Sequence, residues 1–142
     1  YLIENLKFLD IRNYDKGEIK VKELGNIAHL CTLISAEVNK ICPFVLLEKL
    51  HPSPAVCGFP KEKALDYLDS LENFDRGNYA SPFGWVDVEG NADFRVALRG
   101  ATIVKSGIEF IAGSGLVKGS ISEKEIDEIK LKLASLANLI FD

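Results

Sequence analysis

Phe83-Gly84-Trp85-Val86-Asp87-Val88-Glu89-Gly90-Asn91-Ala92-Asp93-Phe94-Arg95-Val96-Ala97-Leu98-Arg99-Gly100-Ala101-Thr102-Ile103-Val104-Lys105-Ser106-Gly107-Ile108-Glu109-Phe110-Ile111-Ala112 is the run that decides the fold. Phe83 to Val88 is rich in aromatic and β-branched residues and reads as a strand. Glu89 to Ala92 reads as a hairpin loop. Asp93 to Val104 reads as one long strand, and Lys105-Ser106-Gly107 as a second tight turn. Ile108 to Ala112 is the next strand. An antiparallel meander follows, with the long strand in the middle. Downstream, Ser122 to Phe141 carries Ile126, Ile129, Leu133, Leu136 and Ile140 on one stripe, which makes a helix with a face to lay on that sheet. Ser122 and Glu125 have the spacing of a capping box. The fold class is α+β, an antiparallel β-sheet with packed helices.

Working outward to the N-terminal side, Lys61 to Leu71 is a helix with Ala64, Leu65, Leu68 and Leu71 on one side. Asn73 to Asn78 is a loop. Before that helix stands His51-Pro52-Ser53-Pro54-Ala55-Val56-Cys57-Gly58-Phe59-Pro60. Its X-Pro steps forbid helix at His51 and Ser53 and hold the chain extended. Pro60 suits the first turn of the helix that follows. The result is a stiff strap that presents an imidazole and a hydroxyl, or simply a Pro-rich connector. Further back, Pro43 to Leu50 is a short helix, and Ile27 to Val38 is an apolar, β-branched strand. Ile19 to Leu24 alternates apolar and charged residues as a strand with one wet face. Asn13 to Gly17 reads as a turn. Tyr1 to Ile11 is a helix that starts without a cap, as a helix cut through its first half would.

A length of 142 residues suffices for one domain with a core, and a net charge of −4 argues against a nucleic-acid or polybasic membrane surface. No apolar run spans a bilayer and no signal-peptide layout opens the chain. Cys31, Cys42 and Cys57 form no C-x-x-C pair, and with only His29 and His51 beside them a zinc site is not expected. Reduced thiols in the cytoplasm fit best. The chain starts at Tyr1 and contains no methionine, so the expectation is a processed product or a piece of a longer chain.

Polar residues at four places carry chemistry. On the last helix, at about 100° per residue, Glu125, Glu128, Lys132 and Leu139 fall on a stripe bordering the apolar one. Two acids and a lysine so placed can take a hard cation and an anion together, and they also match a solvated Glu-to-Lys pair. Arg99 sits in an apolar strand. With Val96 and Leu98 on one side it shares the other with Ala97 and Ala101, leaving room for a bidentate grip on a carboxylate. It can equally point to water. Ala112-Gly113-Ser114-Gly115 can bring backbone N–H groups to an anion, or serve as a plain corner. Tyr79, between small residues, lines a site or a core.

These stretches together resemble the isochorismate synthases, among the magnesium-dependent chorismate-utilising enzymes. The resemblance is carried by Leu50 to Pro60, Phe74-Asp75-Arg76-Gly77 and Gly84-Trp85-Val86-Asp87. It continues through Leu98-Arg99, Ala112 to Val117, and Glu125 to Lys132. His29-Leu30-Cys31-Thr32 looks like the family's strand before the strap. The resemblance implies the C-terminal portion of the chorismate-binding, anthranilate synthase component I-like fold. It implies that Arg99 grips a carboxylate of chorismate, that Gly113 offers its N–H to a carboxylate and that Lys132 pairs with one. Glu128 would ligate Mg²⁺, with Glu125 close by through water. His51 would approach the ring hydroxyl region, and Tyr79 would line the pocket. The His-Pro-x-Pro-Ala strap differs from that of anthranilate and aminodeoxychorismate synthases and favours water over ammonia as nucleophile. Ser53 departs from the family's usual threonine but keeps the hydroxyl.

The same resemblance implies an isomerase reaction in which water adds at C2 of chorismate and the C4 hydroxyl leaves. The family's base, its acid and one further Mg²⁺-ligating glutamate lie upstream of the matching region, so this chain alone is expected to be inactive. The expected partners are chorismate and the remaining N-terminal part of the same domain, with no nucleic acid and no membrane. When complete, the protein is expected to be a monomer, in the cytoplasm or in a plastid, serving quinone, siderophore or salicylate formation. A salicylate synthase and a non-catalytic chorismate-binding remnant are the alternatives.

Overall fold

Apolar residues three and four apart make helices where the sequence places them, and β-branched runs make strands that pair with their neighbours in order. The computed structural model describes residues 1–24 and 27–141, and these divide into two units, Tyr1–Leu50 and His51–Asp142. In the first, α1 (Leu2–Phe8) stops where Asp10 takes a left-handed φ of 59°, and Leu6 and Ile11 are buried. An antiparallel hairpin follows, β1 (Tyr14–Leu24) on β2 (Ile27–Ala36), and then α2 (Pro43–Leu50). The expected turn at Asn13 to Gly17 is instead the start of β1. Tyr14 to Lys16 pair with Ile34 to Ala36, and the ladder shifts register between Lys16 and Ile19. The glycine marks that bulge rather than a reversal of the chain.

In the second unit the strap is extended only at its start. Ser53 has β-region angles, but Pro54 opens a single helical turn, α3 (Pro54–Cys57), as proline at a first helical position does. That turn buries Cys57 and ends at Gly58, whose φ of 92° suits glycine. Pro60 stands just before α4 (Lys61–Leu71), and the last helix, α5 (Ser122–Phe141), has the expected bounds. Ser122 lies inside α5, and the Ile121 carbonyl accepts from the Lys124 and Glu125 amides, so the capping box is not the device that starts it. Leu136 is the buried member of its apolar stripe; the side chain of Leu139 lies outside the described residues.

The long central strand is the main correction. Asp93 to Val104 is two strands, β4 (Ala92–Val96) and β5 (Ala101–Val104). β4 pairs antiparallel with β3 (Pro82–Val86), and β5 with β6 (Gly107–Phe110). Among the described residues these are separate two-stranded ladders rather than one meander. The break has a local cause. The Leu98 amide donates back to the Val96 carbonyl, and Arg99 takes a left-handed φ of 54° before Gly100. The first hairpin is closed by Asp87. Its carboxylate accepts from the Glu89 and Asn91 amides at 2.9 and 2.8 Å and from the Asn91 side chain at 2.7 Å.

Where β3 crosses β4 the backbones are so close that a Cβ on Gly84 would run into the Asp93 carbonyl. Gly84→Ala should therefore lower the urea midpoint, at a cost of roughly 1–3 kcal/mol as in other overpacked sites. An unchanged midpoint would show that the ladder can open there without loss.

Candidate functional site

Two backbone bonds beyond the β3–β4 ladder place the first pair of site residues. The Ala97 amide donates to the Ser81 carbonyl and the Ala80 amide to the Ala97 carbonyl, both at 2.8 Å. On one side of that clasp is Tyr79, and on the other is Arg99. Tyr79, Ser81, Ala97, Arg99, Thr102 and Glu109 contribute to the lining of a cleft of about 550 Å³. Ala97 and Ala101 stand beside Arg99 in that lining, as the sequence suggests, although a broken strand and not an alternating one puts them there. A second hollow, of about 620 Å³, runs along the end of α4. Its lining includes Asp66, Asp69, Glu72 and Asp75 with Arg76, so acids outnumber the one cation and an anion is disfavoured there.

Tyr79 reaches from the cleft to the third sequence-predicted position. Its hydroxyl lies 3.2 Å from where a Cβ on Gly113 would stand, so a glycine at that place lets the phenol come close. Gly113 is held from the other side by α5. Lys132 Nζ donates to the Gly113 carbonyl at 2.8 Å and pairs with Glu128 Oε1 at 2.6 Å. The lysine side chain is 18% exposed and that of Glu128 is 52% exposed. This is not the solvated surface pair that the i, i+4 spacing alone suggests, because the ammonium is withdrawn toward Gly113. Glu125, one turn before Glu128, is half-buried.

His51 joins the same neighbourhood from the strap. Its ring lies near the Ala80 backbone, next to Tyr79, and its own carbonyl accepts from Lys61 Nζ at 3.2 Å. Burial, and then the Lys61 charge, hold the imidazole below the usual histidine range and so favour the uncharged ring, against the opposing pull of the nearby Ala80 backbone. Lys61 carries no signal in the sequence beyond its place after Pro60.

No group of three or more His, Cys, Asp or Glu side chains that could hold a metal is found among the described residues. In donor chemistry alone Glu125 and Glu128 suit a hard cation of the magnesium type, while Glu128 is here paired with Lys132. Such an ion takes one or two carboxylates and completes its shell with water and ligand oxygens. No helix among the described residues is long and apolar enough to cross a membrane.

A model of the family described as chorismate binding enzymes matches residues 7–141. The salicylate biosynthesis isochorismate synthase of Pseudomonas aeruginosa is 44% identical over 117 residues, 82% of this chain and 25% of that protein. Isochorismate synthase MenF of Bacillus subtilis is 44% identical over 110 residues, 75% of this chain and 23% of that protein. A crystal structure titled as a 2,3-dihydroxybenzoate-specific isochorismate synthase, DhbC, from Bacillus anthracis has a TM-score of 0.86 and 27% identity, with 96% of this chain and 37% of that one covered. The chain thus spans about a quarter of the length of the curated relatives it matches.

His51 offers a direct check of the site's electrostatics. Followed by NMR, its titration midpoint should fall below the ordinary value of 6.5, and Lys61→Ala should raise it. The sign for stability follows from linkage. An unfolded chain takes up a proton on His51 at a pH where the folded chain still refuses it. The contribution to stability is complete above the ordinary value and is lost as pH falls through the folded one. A midpoint at or above the ordinary value would contradict the burial of the ring.

Proposed function

The chain belongs to the chorismate binding enzymes, and on that premise we propose that it is the substrate- and metal-binding portion of an isochorismate synthase. The observation that carries this is the convergence around Tyr79. Arg99 shares its cleft, Gly113 lies under its hydroxyl, and Lys132 holds Gly113 from α5. These are donors from three separate stretches of sequence. They suit a rigid dicarboxylate such as chorismate, which offers carboxylate oxygens at two ends.

In the proposed reaction water adds at C2 of chorismate and the C4 hydroxyl leaves, so the formula is unchanged. Arg99 grips one carboxylate, bidentately where geometry allows, and fixes the ring's direction. The Gly113 amide and the Lys132 ammonium serve carboxylate oxygens, and Tyr79 closes the wall between them. His51, whose uncharged form is favoured by burial, reaches toward the ring hydroxyls as a hydrogen-bonding group. Glu128, with Glu125 behind it, would hold Mg²⁺, which when bound neutralises charge at a substrate carboxylate. None of these groups is assigned the proton transfers. A base for the water and an acid for the leaving hydroxyl are proposed to come from outside these 142 residues.

Calorimetry and a coupled assay test this together. The 142-residue chain should bind chorismate in the presence of Mg²⁺ and should not feed an isochorismate-consuming enzyme. Arg99→Ala should weaken chorismate binding by roughly 2–5 kcal/mol, as expected when one member of a charge-assisted contact is removed. Glu128→Gln should instead raise the Mg²⁺ concentration needed, since an anionic ligand is lost. Turnover by the chain alone would mean that the proton-transfer groups are inside it. Arg99→Ala with unchanged chorismate affinity would remove the carboxylate role.

A further inference from the structure

We propose that Glu72 and Arg76 form a positioning pair that sets the Tyr79 ring in the cleft and ties it to the strap carrying His51. Arg76 Nε and Nη2 donate to the two Glu72 carboxylate oxygens at 2.6 Å each. Its remaining nitrogen, Nη1, donates to the Val56 carbonyl in α3 at 3.2 Å. The guanidinium stands 5.8 Å from the centroid of the Tyr79 ring. One planar group thus touches the end of α4, the strap and the tyrosine at once.

Spacing i, i+4 at a helix end is ordinarily a surface pair of little consequence. Here the Arg76 and Glu72 side chains are only 27% and 24% exposed, and the guanidinium stands over the Tyr79 ring. The backbone around Tyr79 needs such a restraint. Gly77 and Ala80, on either side of it, both have left-handed φ, 52° and 63°. The contacts close a ring. Arg76 holds Val56 on the strap, the strap carries His51, and the His51 ring lies near the backbone of Ala80, the residue after Tyr79. Lysine cannot substitute, because an ammonium has no planar fork with which to serve Glu72 and Val56 together. The functional weight of the pair rests on the proposed role of Tyr79 in the chorismate cleft; the placement of the ring does not.

The four tyrosines, at 1, 14, 67 and 79, can be ring-labelled and followed by NMR without ligand. In Arg76→Lys and in Glu72→Gln the Tyr79 signal should move while that of Tyr14 stays. Chorismate affinity, measured with Mg²⁺, should fall by about tenfold, the scale of a modest misplacement of a binding group. Combined with Tyr79→Ala, Arg76→Lys should cost nothing further, because the group through which it acts is gone. Glu72→Gln preserves side-chain size and keeps the test intact if Arg76→Lys fails to fold. A Tyr79 signal unmoved in the folded variants, or equal losses with and without the tyrosine, overturns the proposal. If the unaltered chain does not bind chorismate, the proposed function fails, and the ring signal alone decides the positioning pair.

Discussion

The clasp at Ala97 is the constraint on which the site depends. Its amide and carbonyl are both used, by Ser81 and Ala80, and the chain must leave the ladder on either side of it. It leaves through left-handed residues, Ala80 at 63° and Arg99 at 54°. Neither is a glycine, and each such residue costs roughly 1–2 kcal/mol relative to right-handed backbone. The two exits deliver Tyr79 and Arg99 to the same cleft. A continuous strand through residues 93–104 would have carried Arg99 along the sheet, away from the cleft that Tyr79 lines.

That break was the least legible feature of the sequence. Val96-Ala97-Leu98 is apolar, Gly100 is a weak signal, and nothing local says that an arginine will turn left-handed. Tyr14 to Lys16 were misread for the complementary reason. An Asn-Tyr-Asp-Lys-Gly composition looks like a turn, but the pairing with Ile34 to Ala36 is long-range and overrides it. The helices were legible because their periodicity is intrinsic. α4 and α5 follow from apolar spacing alone, and so does the stripe that carries Glu125, Glu128 and Lys132.

The candidate site was legible in residue identity more than in connection. The motif resemblance picks out His51, Tyr79, Arg99, Gly113 and Lys132; of these Tyr79 and Arg99 line one cleft, Lys132 bonds to Gly113, and His51 lies near Ala80. What could not be read is which atom meets which. Lys132 goes to the Gly113 carbonyl as well as to Glu128, and burial, with Lys61 added to it, disfavours the protonation of His51. Both depend on three-dimensional approach between segments that no spacing rule connects. Arg76 stands between these cases. Its pairing with Glu72 is readable from i, i+4, whereas its contacts with Val56 and Tyr79 are not.

The withdrawn position of Lys132 has a consequence for the solution in which the protein is kept. Lys130 and Asp127, on the same helix, form an ion pair with both side chains 70% exposed, and added electrolyte reaches both partners. The screening length is about 8 Å at physiological ionic strength and shortens as salt is added, so the pull between such exposed charges weakens progressively. Lys132 meets a carbonyl dipole with only 18% of its side chain exposed, where mobile ions have little access. Raising the salt concentration therefore loosens the outer face of α5 and leaves in place the bond that ties the helix to the segment after β6.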